Sequence, residues 1–244
     1  MPTSVPQLST RRQILRAGFA AAVGSWAAIE VLGAGHASAD PYYSAVPRVS
    51  MVGDSLTCGS LPFQPDDFVV AGWSHSAIDA YVSRGVRTKV KADLHTGLTA
   101  VDAIRQSSGD TEAWIVALGT NDAVIYSSDK HAQVIGMMMD HIGGGHKVMW
   151  VNVYLPDRLP QQLAWNASLD DAQRRERNMF VYDWASFAAD NQRFLAHDNL
   201  HYNRDGYRYR SIAVGLASRA LLPSNAAQSP MPRWPLSRQE KVLS

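Results

Sequence analysis

Three short stretches of this 244-residue chain carry side chains that can do chemistry. In Gly53-Asp54-Ser55-Leu56, a short apolar run stops abruptly at a small turn-forming triplet. In Gly119-Thr120-Asn121-Asp122, polar residues end the continuous apolar run from Ala113 to Leu118. Asp198-Asn199-Leu200-His201 lies in a segment dense in titratable and turn residues. A serine at the carboxyl end of a strand has its hydroxyl clear of the core. Its own N–H then lies near a helix N-terminus, where the partial positive charge favours a developing oxyanion. An Asp and a His three residues apart meet when the chain between them turns. The carboxylate then takes the proton of one ring nitrogen and leaves the other nitrogen as a base. Singly, the motifs say little: a Gly-Asp-Ser turn more often caps a helix, and an isolated Asp-x-x-His is commonly a solvated loop. Their joint placement by the fold decides the matter.

The elements that must do the placing alternate along the chain. Arg48 to Gly53 predicts a buried strand, followed by a short helix from Ser55 and a loop of turn residues from Leu61 to Asp67. Gly72 to Ser83 reads as a helix, and Val86 to Leu94 as a second strand that ends at His95-Thr96-Gly97. Leu98, Val101 and Ile104 have helical spacing, and Ala113 to Leu118 has the unbroken apolar character of a strand buried on both faces. Asp129 to Ile142 predicts a helix closed by Gly143-Gly144-Gly145, and Lys147 to Tyr154 a fourth strand. Gln161 to Arg177 predicts a helix, Met179 to Tyr182 a fifth strand and Asp205 to Leu222 a last helix. This alternation specifies a parallel sheet with helices on both faces, whose strand ends share one edge.

Composition sets the address. Arg11-Arg12, an Ala/Gly-rich run from Ala17 to Gly35 and Ala37-Ser38-Ala39 have the order of a twin-arginine export signal over residues 1–39, with cleavage before Asp40. The expected domain then spans 40–222, and the Pro-rich segment 223–244 reads as a mobile tail. Beyond position 39 the chain carries 20 basic and 21 acidic residues, which gives no electrostatic footprint for nucleic acid. No apolar run after the signal approaches the roughly 18 residues of a membrane span. Cys58 is alone, so no internal disulfide forms. His75, His95, His131, His141, His146 and His197 show no metal-ligand spacing, and neither a metal nor another cofactor is expected. The chain is expected to be a bacterial, exported monomer in the periplasm, cell envelope or medium.

The blocks Gly53-Asp54-Ser55-Leu56, Gly97, Gly119-Thr120-Asn121-Asp122 and Asp198-Asn199-Leu200-His201, in that order from about Val49 to Ala217, resemble those of the SGNH hydrolases, or GDSL esterases and lipases. The resemblance implies a flavodoxin-like α/β/α sandwich with a five-stranded parallel sheet. It also implies Ser55 as nucleophile, His201 as base and Asp198 as its orienting acid. The implied oxyanion hole comprises the Ser55 and Gly97 backbone N–H groups and the Asn121 side-chain amide. Trp150-Val151-Asn152, Trp165-Asn166, Val181-Tyr182-Asp183-Trp184 and the segment 198–207 are similar to SGNH domains attached to membrane acyltransferases that O-acetylate envelope polysaccharides. Those domains often have glycine where this chain has Asp122.

The resulting expectation is an exported serine esterase that hydrolyses O-acyl esters through an acyl-enzyme, with a short acyl group such as acetyl on a small molecule or envelope glycan. An O-acetyltransferase using the same intermediate and a non-catalytic glycan-binding module are the alternatives. Trp73, Trp150, Trp165 and Trp184 could stack on sugars, although core packing is the default for each. Cys58 reads as small helix packing or as a modifiable thiol beside the site.

Overall fold

Residues 46–88 and 95–223 are described by the computed structural model. The expected leader 1–39, residues 89–94 and nearly all of the tail 223–244 lie outside this range. Five strands form one parallel sheet: β1 (Arg48–Gly53), β2 (His75–Ala80), β3 (Ala113–Ala117), β4 (Lys147–Val151) and β5 (Met179–Tyr182), ordered β2-β1-β3-β4-β5. Among the described residues the α-helices are α1 (Ser55–Ser60), α2 (Gln64–Ala71), α3 (Gly97–Ser108), α4 (Asp122–Ile125), α5 (Ser128–Ile142), α6 (Leu159–Arg175), α7 (Trp184–Asp190) and α8 (Arg204–Ala217).

The period-two alternation of the strands creates the layers. Val52, Trp114, Val116, Val148 and Trp150 pack with α3, α5 and α6 on one face. Val49, Met51, Ile115, Met149 and Val151 pack with α1, α2, α7 and α8 on the other. Both faces of the central strands are therefore covered, as their unbroken apolar runs require. Trp73, Trp114, Trp150, Trp165 and Trp184 are all fully buried.

Sequence and structure part company between α1 and α3. The expected loop from Leu61 to Asp67 contains the start of α2, with Pro65 in the first helical turn, where its missing N–H has no intrahelical partner to lose. The expected helix from Gly72 to Ser83 is instead the edge strand β2. Gly72 adopts φ 104° and ends α2, and Ser74 donates its N–H to the Pro47 carbonyl at 3.0 Å. From there every residue of β1 pairs with β2, from Arg48 with His75 to Gly53 with Ala80. The segment is rich in Ser and Ala, so a ready-made partner strand overrides a weak local preference. Val86 to Thr88, expected to begin a strand, are irregular, and the rest of that expected strand falls at 89–94.

The register sets the site. Gly53 is level with Ala80 on one side and Ala117 on the other, so the chain leaves three adjacent strands at the same height. The next strand holds the third exit in place: the Trp150 indole N–H donates to the Leu118 carbonyl at 2.8 Å, one residue before Gly119-Thr120-Asn121-Asp122. Trp150→Phe removes that donor and part of a fully buried ring, and should cost about 1–3 kcal/mol in urea denaturation. An unchanged midpoint would show that this bond does not anchor the β3 exit.

Candidate active site

Asp54 turns β1 into α1. Its backbone carbonyl accepts the N–H groups of Thr57 and Cys58 at 3.1 and 3.0 Å, while its Oδ1 accepts that of Leu56 at 2.9 Å. Ser55 is thereby the first residue of α1, and its N–H donates to no group among the described residues. This places the oxyanion-favouring end of the helix beside the hydroxyl. The Asp54 carboxyl is fully buried, and burial raises its pKa; the Arg210 guanidinium, the Leu56 N–H and the Thr120 hydroxyl act against that shift.

The histidine comes from the loop before α8. Leu195 and Tyr202 form an isolated antiparallel bridge, and the Ala196 N–H donates to the His201 carbonyl at 2.7 Å, closing the loop between them. Asn199 sits in the left-handed region at φ 52°, a conformation Asn tolerates better than most residues, and this reverses the chain. Asp198 can then bond back onto its own turn. Its Oδ1 accepts the N–H groups of Leu200 and His201 at 3.1 and 2.9 Å, and its Oδ2 lies 2.6 Å from His201 Nδ1. The His201 side chain, followed by the His201 and Leu200 N–H groups, holds the Asp198 pKa down at about 2. The other ring nitrogen, Nε2, lies 3.0 Å from Ser55 Oγ. Residues 146 positions apart are thus joined in one chain of bonds, Asp198 to His201 to Ser55.

Asn121 stands at the third strand exit, and its Nδ2 donates to the Arg84 carbonyl at 2.9 Å. That amide nitrogen carries a second hydrogen for another acceptor. Gly97 is placed differently from the rest. Its N–H donates to the Gly85 carbonyl at 2.9 Å. A Cβ there would come within 2.5 Å of Leu118 Cδ1 and 2.7 Å of Met138 Cε, so the glycine packs α3 against the core. The backbone that actually leaves the sheet beside Ser55 is the turn Tyr81-Val82-Ser83-Arg84. Tyr81 donates to the Gly53 carbonyl at 3.1 Å, Arg84 N–H closes onto the Tyr81 carbonyl at 3.3 Å, and Ser83 has φ 59°.

Two buried charged residues in this region have bonding roles that the sequence does not indicate. The Arg84 guanidinium, 1% exposed, donates to the Gly53, Asp79 and His95 carbonyls and to Asp79 Oδ1, tying β1 to β2 below the turn. Asp122 is fully buried, and desolvation raises its pKa to about 7 against the bond it accepts from the Val86 N–H.

The other candidates fall away from the chemistry. His197 and Asp205 are exposed and take no part in the bonds that join Asp198, His201 and Ser55. Cys58 is half-buried, and burial followed by the nearby Asp54 charge raises its thiol pKa, which disfavours the reactive thiolate. Among the described residues, no group of three or more His, Cys, Asp or Glu could hold a metal. The four tryptophans considered for sugar stacking are core residues. A cleft of about 410 Å³ opens beside Asp198, its wall including Asn121, Val124, Ile125, Leu155, Arg158 and Asn199.

No protein-family model matches the chain, and no curated protein matches its sequence. Solved structures do match. TesA aligns with TM-score 0.59 and 15% identity over 72% of this chain and 99% of that one. The C-terminal catalytic domain of Streptococcus pneumoniae peptidoglycan O-acetyltransferase A aligns with TM-score 0.56 and 13% identity, over 72% and 94% of the two chains. Est24, a carbohydrate acetylesterase from Sinorhizobium meliloti, aligns with TM-score 0.55 and 16% identity, over 72% and 100%. The fold is that of the SGNH hydrolases. At these identities, the chemistry rests on the chain's own residues.

If Asp198 orients His201, Asp198→Asn should lower kcat roughly 10³- to 10⁴-fold with little change in KM, by stabilising the wrong tautomer. His197→Ala and Asp205→Asn should leave turnover within about threefold. Because the pKa of Asp198 is lowered to about 2, it keeps its charge through the acid range and loses it only as the pH falls through that value. Ionisation of Asp198 should therefore contribute nothing to the acid limb of kcat/KM until the pH falls toward that value. Loss of activity in His197→Ala together with activity in His201→Ala would overturn the assignment.

Proposed function

We propose that this protein is a serine ester hydrolase that works through an acyl-enzyme. The unbroken line from the Asp198 carboxylate through both His201 ring nitrogens to Ser55 Oγ, at 2.6 and 3.0 Å, carries the reading. Neutral His201 takes the Ser55 proton on Nε2 as Oγ bonds to the substrate carbonyl carbon, and the carbonyl oxygen becomes an oxyanion facing the Ser55 N–H and the Asn121 amide. The intermediate collapses, the ester C–O bond breaks, and the leaving alkoxide receives the proton from Nε2 as an alcohol. Water then attacks the acyl-enzyme by the same route, yielding the acid and free Ser55.

The substrate we propose is a short O-acyl ester, acetyl above all, on a small molecule or an envelope glycan. Two of the similar structures carry names in that class, a carbohydrate acetylesterase and a peptidoglycan O-acetyltransferase domain. With Trp73, Trp150, Trp165 and Trp184 in the core, sugar recognition falls to the polar rim of the cleft, where the Asn199 amide approaches the Asp157 carboxylate at 3.3 Å beside Arg158. The second reading, acetyl transfer, replaces water by a sugar hydroxyl in the last step. It is favoured by the likeness of residues 150–152 and 181–184 to the acyltransferase-linked domains. A panel of p-nitrophenyl esters from acetyl upward, run with and without sugar acceptors, separates the readings. Hydrolysis that is fastest for acetyl and indifferent to sugars supports the esterase. O-acetylated sugar as the main product supports the transferase. No turnover with any ester would overturn both.

We also propose export in the folded state, on the strength of Arg11-Arg12 and the run that follows. Changing both arginines to lysine should leave the precursor in the cytoplasm of its bacterial host. Normal secretion of that variant would refute the route.

A further inference from the structure

Asn121 and Asp122 are consecutive residues that grip the same short segment. Asn121 Nδ2 donates to the Arg84 carbonyl at 2.9 Å, and two residues further on the Val86 N–H donates to Asp122 Oδ1 at 2.9 Å and Oδ2 at 3.1 Å. Gly85, between the two grips, admits the carboxylate: a Cβ at that position would sit 2.6 Å from Asp122 Oδ1. On the far side the segment is anchored by the buried Arg84 guanidinium, which reaches the Gly53 carbonyl just before Asp54-Ser55. The Asn121 amide is thus oriented by a carbonyl that is itself held from both sides.

A fully buried carboxylate with no ion-pair partner among the described residues is costly to keep. An apolar side chain of the same shape would relieve that cost but would orphan the Val86 N–H and release the Arg84–Val86 segment. The hydrogen bond, more than the charge, is what the position requires. An Asn, which keeps a carbonyl oxygen in the same place, should serve it nearly as well.

We propose that Asp122 is a positioning residue for the oxyanion side of the site: by holding the Val86 N–H it fixes the Arg84 carbonyl, which orients the Asn121 amide toward the reacting carbonyl oxygen. This rests on the esterase reading for its kinetic consequence, while the orientation of Asn121 can be measured without any substrate.

The test is a double-mutant cycle on p-nitrophenyl acetate, with Asp122→Ala, Asp122→Asn, Asn121→Ala and Asn121→Ala/Asp122→Ala in the full chain. Asp122→Ala should lower kcat roughly 10- to 100-fold with KM within about threefold, and Asp122→Asn should restore most of it. Asn121→Ala should lower kcat roughly 10²- to 10³-fold, and adding Asp122→Ala should then cost less than about threefold, because the Asp122 effect runs through Asn121. Additive losses, a loss confined to KM, or an Asp122→Asn variant as impaired as Asn121→Ala would each overturn the proposal. The last outcome decides even if Asp122→Ala fails to fold. Independently of activity, the Asn121 side-chain amide protons should exchange slowly with solvent in the native protein and in Asp122→Asn, and rapidly in Asp122→Ala. Equal exchange in Asp122→Ala and the native protein would refute the positioning step. Slow, Asp122-dependent exchange in a protein that hydrolyses no ester would refute only the esterase reading.

Discussion

The parallel register of β1 between β2 and β3 is the constraint on which the site depends. With Gly53 level with both Ala80 and Ala117, the chain must leave the sheet three times within one small area. Those exits are Asp54-Ser55, the Tyr81–Arg84 turn and the Gly119–Asp122 turn. Parallel strands require crossover connections, so the helices that return the chain also cover the two apolar faces. Everything polar is thereby pushed to the strand ends, where helix N-termini leave N–H groups without intrahelical partners. A slip of β1 by one residue would send Val52 to the wrong face and withdraw Ser55 from the loop that brings His201, so the core itself enforces the geometry of the site.

Buried charge near Ser55 follows the same logic. Asp54, Arg84, Asp122 and Arg210 are all almost inaccessible, and each sits where the chain leaves the sheet or where α8 packs beneath it. Asp54 caps the helix that opens with Ser55, Arg84 joins β1 to β2, and Asp122 grips the segment after β2. Arg210 lies over the Trp184 ring at 5.4 Å and is the leading counterweight to the burial of Asp54. Asp54, Arg84 and Asp122 set local geometry, because removing any one leaves the backbone groups it bonds unsatisfied. They surround the strand ends from which Ser55 and Asn121 project.

The placement of Ser55, Asn121, Asp198 and His201 was legible because each belongs to a local pattern: an apolar strand cut short by small residues, or an Asp and a His spaced to meet across one turn. The sheet was legible for a similar reason, since β1, β3, β4 and β5 are bounded apolar runs. The edge strand was not. His75 to Ala80 carries its pattern in Ser and Ala, and it is a strand because β1 offers a partner, which no local signal records. Gly97 opens a helix as expected, but its N–H serves the Gly85 carbonyl, and the backbone beside Ser55 is the Tyr81–Arg84 turn. Arg84 gives no local signal, and Asp122 shows as part of the Gly119–Asp122 block but not as a buried grip, because periodicity counts a charged residue as surface whereas both are buried and bond backbone groups of non-adjacent segments.

The central claim is that Ser55 is a nucleophile made reactive by His201. The most direct measurement is the site and rate of covalent labelling by a small fluorophosphonate, read by peptide mapping of the whole protein. The account predicts a single adduct on Ser55, formed roughly 10³-fold or more slowly when His201 is replaced by alanine in a protein that stays folded. An adduct on another residue, or labelling of Ser55 at an undiminished rate in His201→Ala, would contradict it.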